Sequence, residues 1–306
     1  MTFFVSGFFA NMLSFLAIYL ALTVVLHLQA NVTGIVNFGI AGFWGMGMYL
    51  TAIFLLRVDM PFVVSLLLAS VITGAVAIPL ARIILNLDGQ AVLVSTLAFA
   101  SIIESLLFVH RPITGGSIGL GTISMPIDAG ANTFILYALV IVAFTALLMV
   151  YSYMIKKAPF GRLLFSIRDN EPLSRSLGKP TFKNKIIFFG FTCGIMGFFG
   201  GLTAPLHSFL LPMMVSPTVT FVAWIALVLG GQSKLSGAVV GVLATVFVFD
   251  YLLFIIVPIP ANYAQLVPFF KYAAYGLMLI LVLMFRPTGI MGAGKITGGK
   301  NKEAAK

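Results

Sequence analysis

Charge is what this chain has least of. Only 8% of its 306 residues are Asp, Glu, Lys or Arg, and the acids number eight. Soluble domains carry about 25% charged residues. With 60% apolar residues and a mean hydropathy of +1.12, this chain has too few polar groups to coat a water-soluble fold. The bilayer must be its solvent. Cysteine is nearly missing too. A lone Cys193 in an apolar run excludes an internal disulfide and a cysteine-based metal site. The three histidines, His27, His110 and His207, have no metal-ligand spacing, and no set of nucleophile and base groups suits an intramembrane enzyme. No Lys or Arg precedes Arg57, so the basic n-region of a signal peptide is absent and the first apolar stretch reads as a retained membrane helix. A net charge of +10 raises the question of nucleic acid. No arginine–aromatic stripe suited to bases accompanies it, and no nucleic-acid partner is expected.

What the chain does have is long apolar stretches. A spanning helix needs about 20 mostly apolar residues. Such stretches run over 3–28, 34–56, 61–86, 90–110, 132–155, 186–209, 218–232, 235–257 and 267–285. The expected fold is all-α, a polytopic helical bundle of about eight to ten spans. It divides into N-terminal membrane helices (1–155), a cytoplasmic loop (156–185), C-terminal membrane helices (186–290) and a basic tail (291–306). Positive charge stays on the cytoplasmic side of membrane proteins. With 156–185 inside, five preceding spans put the N-terminus and the 111–131 loop outside. The lysines of the tail lie inside only if 218–232 crosses rather than doubles back.

The loop carries eight basic and two acidic residues in KKAPFGRLLFSIRDNEPLSRSLGKPTFKNK. Phe160, Leu163, Leu164 and Ile167 stand at helical spacing and share one face, while Arg162, Ser166 and Asp169 point elsewhere. Pro159 suits a helix start and Pro172 breaks the helix. A second short helix, Leu173 to Leu177, ends at Gly178. An amphipathic helix of this kind either lies on anionic lipid or docks into a partner's groove; composition leaves both open.

Glycine comes in two blocks, Gly34 to Gly47 and Gly230 to Gly241, in corresponding parts of the two halves. Small residues let helix backbones approach in lipid, and in transporters they also mark interrupted helices. Two acids lie within apolar spans, Glu104 and Asp250. A buried intramembrane acid is a functional candidate by default; either could meet a substrate's ammonium group, relay protons, or serve at a helix end near the outer interface. Trp44 and Trp224 read as packing residues. The glycine-rich TGGSIGLGT lacks the Gly-Lys-Ser/Thr ending of a phosphate-binding loop.

The stretch APFGRLLFSIRDNEPLSRSLG resembles the cytoplasmic coupling loop of the bacterial high-affinity branched-chain amino acid ABC transporter permeases. The matching positions are Gly161, Arg162, Ile167, Arg168, Asn170, Glu171 and Gly178. GFFGGLTAP (197–205), VLGGQSKLSGAVVG (228–241), TGGSIGL (114–120) and FRPTGIMG (285–292) resemble further family segments. Pro172-Leu173-Ser174-Arg175 departs from the alanines usual after the glutamate.

The resemblance implies a transport subunit, not an enzyme, with no cofactor of its own. Its expected partners are a second homologous permease, two cytoplasmic ABC ATPase subunits, a periplasmic or lipid-tethered solute-binding protein and the bilayer. Phe160, Gly161, Arg162, Leu164, Arg168, Asn170, Glu171 and Gly178 would form the ATPase-coupling site. Phe160 and Leu164 are the expected apolar anchors, and Arg168 and Glu171 the expected hydrogen-bonding groups. Asn37, Glu104 and Asp250 are the residues assigned to the translocation path. Branched-chain or related amino acids are the expected cargo. Urea, amides or nucleosides in the same importer class, and a proton-driven secondary transporter, are the rivals.

Overall fold

The computed structural model describes residues 2–121, 123–207, 209–252, 267–285 and 289–291. It is helical almost throughout, as lipid demands. Backbone N–H and C=O groups in hydrocarbon must be satisfied within the protein, and a helix does so locally. The long helices are α1 (Thr2–His27, continued by a π turn over Leu28–Thr33), α2 (Ile40–Arg57), α3 (Phe62–Ile84) and α4 (Gly89–Val109). After the four-residue α5 (Arg111–Thr114) comes α6 (Thr133–Lys157), then the short pair α7 (Pro159–Asp169) and α8 (Glu171–Ser176). The chain continues through α9 (Thr181–Thr203), α10 (Thr218–Gly230), α11 (Leu235–Val242, followed by a π stretch Leu243–Leu252) and α12 (Val267–Phe285). Among the described residues, seven helical segments are long and apolar enough to cross a membrane. The predicted spans match these helices to within a few residues at most ends. The clear differences are three. α9 begins at Thr181 rather than 186 and ends at Thr203 rather than 209, and α2 begins at Ile40 rather than 34 because residues 34–39 are not helical. The last part of the predicted 235–257 span lies outside the described residues.

Close packing at the centre comes from α2 crossing α9. There a Cβ on Gly200 would stand 1.9 Å from the Trp44 carbonyl oxygen, and one on Gly47 would stand 2.0 Å from that of Gly197. The two backbones touch, so both positions exclude any side chain. Lipid tails are as apolar as leucine, and tight packing of small residues is what holds such helices together. α3 joins this core through Thr73 and Leu66, while Val63, Leu67, Val71 and Ile78 project outward to lipid.

The basic residues of 156–185 gather at one end of the bundle. At the opposite end β1 (Leu120–Gly121) pairs antiparallel with β2 (Phe209–Leu210), with Leu120 opposite Leu210 and Gly121 opposite Phe209. From β2 the chain descends past Gly45, where Val215 packs, through α10 to a turn at 231–234. That turn lies at the basic end, because Asn31 Nδ2 donates to the carbonyls of Gln232 (2.6 Å) and Ser233 (3.2 Å) beside α7. The 212–230 segment therefore joins one end to the other and does not double back. Ile290 N donates to Leu229 O (2.9 Å) and Met291 N to Gly230 O (3.0 Å), so the chain after α12 also arrives at the basic end. The two glycine blocks do not meet. The first is spread over several neighbours, Gly34 under Arg168, Gly39 and Gly42 against α4 at Thr96 and Ala100, Gly45 at Val215 and Gly47 at the α9 crossing. The second closes the α10–α11 hairpin, where Gly230 abuts Gly237.

Candidate functional site

Two sites command attention: the α7–α8 hairpin at the basic end, and a buried polar network just behind it. The hairpin forms for local reasons. Pro159 opens α7. Asn170 leaves the helical region (φ −154°, ψ 92°), and its Oδ1 accepts from Leu173 N at 3.0 Å, capping α8. Asn side chains at that position satisfy otherwise orphaned helix N–H groups. Ser174 Oγ donates to Ser166 O (2.9 Å) and folds α8 back on α7. Gly178 closes the hairpin at φ +76°.

The apolar face predicted for α7 exists, but it neither lies on lipid nor points at a partner. Leu164 and Ile167 are fully buried against Leu28, Val32, Ile155 and Phe188 of the chain's own membrane helices. Burying each such side chain contributes about 1.5–3 kcal/mol. Gly161 is buried against the end of α6, with no room for a Cβ beneath the Ile155 carbonyl. Leu164, expected as an apolar anchor, is buried within the chain itself and fastens α7 to the body. Phe160 stays 36% exposed at the rim, its ring 6.3 Å from Phe188.

The two polar residues singled out in the loop also have partners within the chain. Arg168 Nη1 donates to the backbone carbonyl of Asn31 and to its Oδ1 (3.1 Å). Glu171 accepts from Arg175 Nη2 (3.3 Å) and from Lys185 Nζ at the start of α9. Burial pushes the Glu171 carboxyl up. The hydrogen bond and charge of Lys185, aided by Thr181 and Arg175, outweigh that and hold it below its ordinary value. Arg162 is exposed and donates to Lys157 O (3.2 Å). Of the expected set, Phe160, Arg162, Arg168, Asn170 and Gly178 are exposed, Glu171 is half-buried, and Gly161 and Leu164 are buried. The hairpin also offers to solvent Leu173 (56% exposed) on α8 and Leu177 (67% exposed) just past its end, with Arg175 between them. Beside them an open cleft of about 750 Å³ runs between α8 and the α3–α4 turn at Leu85–Leu87. Sequence reasoning passed over these leucines because two apolar residues on and just past a six-residue helix make no periodicity.

Behind α7 the break between α1 and α2 is held by the backbone bonds of Gly34 N and Ile35 N to Gln29 O and by a set of side chains. Asn37 is fully buried. Its Nδ2 donates to Gln29 Oε1 (3.0 Å), its Oδ1 accepts from Gly39 N (2.7 Å), and its carbonyl accepts from Trp224 Nε1 (2.9 Å). Gln29 Nε2 continues to Thr192 Oγ1 on α9 (2.7 Å), and Phe38 N donates to Thr96 Oγ1 on α4 (2.9 Å). Buried polar groups in an apolar medium need such partners. Asn37 therefore joins α1, α2 and α10, and Trp224 earns its place through this bond and by stacking on Phe38 (5.0 Å, 13°). Glu104 stands apart from this network, half-buried on the outer side of α4 with Ser101 and Ser105 exposed near it. Asp250 falls in the π stretch after α11, and its side chain lies outside the described residues.

A multi-pass apolar bundle with an interrupted, hydrogen-bonded helix pair and a charged hairpin fixed at one end has the architecture of a membrane permease. The comparisons are specific. The family model for the branched-chain amino acid transport system permease component matches residues 8–285, and the chain belongs to that family. Over 304 residues it is 24% identical to the high-affinity branched-chain amino acid transport system permease protein LivM of Salmonella typhimurium, covering 90% of this chain and 68% of that one. The LivM of Escherichia coli is 23% identical over the same shares. The L-arabinose transport system permease protein AraH of Escherichia coli is 28% identical over 63% of this chain and 57% of its own. No solved structure matches. The protein is thus a multi-pass inner-membrane permease subunit of ABC type.

Proposed function

We propose that the protein is the membrane subunit of an ABC importer for branched-chain or related amino acids. In this reading the basic end faces the cytoplasm, and two ATPase subunits engage the α7–α8 hairpin there. A second, homologous permease completes the pathway, and a solute-binding protein delivers cargo at the opposite end. One observation carries the reading. α7 is fastened to the membrane body through Leu164 and Ile167, while Leu173 on α8 and Leu177 just past it stand out to solvent. An exposed apolar pair on a rigidly mounted helix end is suited to a partner's groove, and a rigid mount is what lets the partner's motion move the body. The likeness to LivM supports amino-acid cargo. The likeness to AraH supports including a sugar in any cargo test.

The test is reconstitution with the ATPases and binding protein encoded beside it. Proteoliposomes should take up radiolabelled leucine, isoleucine or valine only with ATP inside. Preferential uptake of L-arabinose would replace the cargo. Uptake that survives without ATP and collapses with the proton gradient would replace the class, and would direct attention to Glu104.

A further inference from the structure

We propose that Arg168 and Asn31 form a strut that carries movement of α7 to the α10–α11 turn; this rests on the ABC reading above. Three features of the geometry carry it. The stem of Arg168 lies across Gly34, its Cγ 3.2 Å from where a Cβ would stand, at a residue whose φ of +74° already favours glycine. The guanidinium then reaches the carbonyl and Oδ1 of Asn31. Asn31 passes the contact on, its amide donating to the carbonyls of Gln232 and Ser233 in the turn between α10 and α11.

The receiving element is stiff. Gly231 N donates to Leu227 O (3.0 Å) and Gly237 N to Lys234 O (3.0 Å), and the residues after α12 cap the last carbonyls of α10. α10 is therefore gripped at two levels by the same interrupted stretch. Asn31 holds its basic end, and Asn37 holds its middle through Trp224. A displacement of α7 along its axis pulls on the first grip and turns α10 about the second. Rigid helices with two discrete packings transmit motion in this way. Arg168 and Asn31 are positioning residues: they touch neither cargo nor nucleotide.

Asparagine suits the middle of such a strut because its amide accepts on one side and donates on the other. Aspartate keeps the acceptor and binds Arg168 more strongly, but it cannot donate to the two carbonyls. Asn31→Asp therefore cuts the strut at one joint only. The readout is maleimide labelling at position 232 in a Gln232→Cys protein, complexed with its ATPases in proteoliposomes. The native Cys193 is buried and silent. Trapping the ATPases with ATP and vanadate should change the labelling rate several-fold relative to the nucleotide-free complex. Asn31→Asp or Arg168→Ala should lose that change while the ATPases still co-purify.

An Asn31→Asp complex that keeps the nucleotide-dependent change would overturn the strut and leave the ABC reading standing. So would a Gln232→Cys complex that shows no change at all. Arg168→Ala that sheds the ATPases, with Asn31→Asp normal, would return Arg168 to the docking surface and overturn the strut. Failure of the unaltered chain to bind any ATPase would overturn the ABC reading and the strut together.

Discussion

The α2–α9 crossing and the α7–α8 hairpin are held by opposite means. At the crossing, backbone meets backbone, and the absence of side chains at Gly47 and Gly200 is what permits contact. At the hairpin, apart from Gly161 against the Ile155 carbonyl, side chains make the links: Leu164 and Ile167 inward, Asn170 and Ser174 as local ties, Glu171 and Arg168 to the body. The first region tolerates no added atom and carries no chemistry. The second tolerates much at its surface and carries the connection to whatever moves the protein. Stability and coupling are thus separated in space, and substitutions should separate them too.

The largest effect belongs to the crossing. Gly200→Leu drives a side chain into the Trp44 carbonyl, and the helices must part. The loss should exceed about 4 kcal/mol, seen as failure to recover monodisperse protein from the membrane in detergent. Normal yield and melting would mean the crossing is not the keystone of the fold.

Within the hairpin the contrast sharpens between inner and outer leucines. Leu164→Ala leaves a hole in a closed cluster and should cost about 2–5 kcal/mol in thermal stability. Leu173→Ala and Leu177→Ala should each move stability by no more than about 0.5 kcal/mol. The outer pair should nevertheless weaken ATPase co-purification, each by about 1 kcal/mol or more, as buried apolar anchors do at interfaces. Equal effects on melting from inner and outer leucines would erase the distinction drawn here.

The smallest effect is electrostatic. The Glu171 carboxyl is held below its ordinary value of 4.5 in the folded protein. Its link to Lys185 is therefore complete at neutral pH and disappears only as pH falls through the lowered value. Partly exposed pairs contribute at most about 1 kcal/mol. Wild type should out-melt Glu171→Gln by a constant small margin from pH 7 to about 5, and the margin should close in more acid solution. A margin that closes nearer neutrality would show that the carboxyl is not held down by Lys185.

Much of this was legible in the chain before any coordinates. Apolar runs of spanning length located the long helices, and Pro159 and Gly178 bound the hairpin as read, while the break expected at Pro172 falls at Asn170 and Pro172 sits in the first turn of α8. The spacing of Leu164 and Ile167 gave the apolar face of α7 correctly, but not what lies against it. Residues 34–39 were read as part of a helix because their composition is as apolar as their surroundings. They leave the helix at left-handed Gly34 (φ +74°), and side chains from three other helices hold them: Thr96 and Trp224 bond the backbone of Phe38 and Asn37, and Gln29 bonds the Asn37 side chain. Arg168 and Glu171 were read as hydrogen-bonding groups of a partner interface; within the chain Arg168, still exposed, bonds Asn31, and half-buried Glu171 bonds Lys185 and Arg175.

Periodicity, proline and glycine act over three or four residues. They were enough, by themselves, to determine the membrane class of this protein, its helices and the kinked basic hairpin. The interruption after α1, the seat of α7 and the partners of Arg168 were decided only when distant segments packed. Asn31 and Arg168 are 137 residues apart, and no local rule spans that distance. In lipid, a polar group must find whichever partner the packing brings within reach.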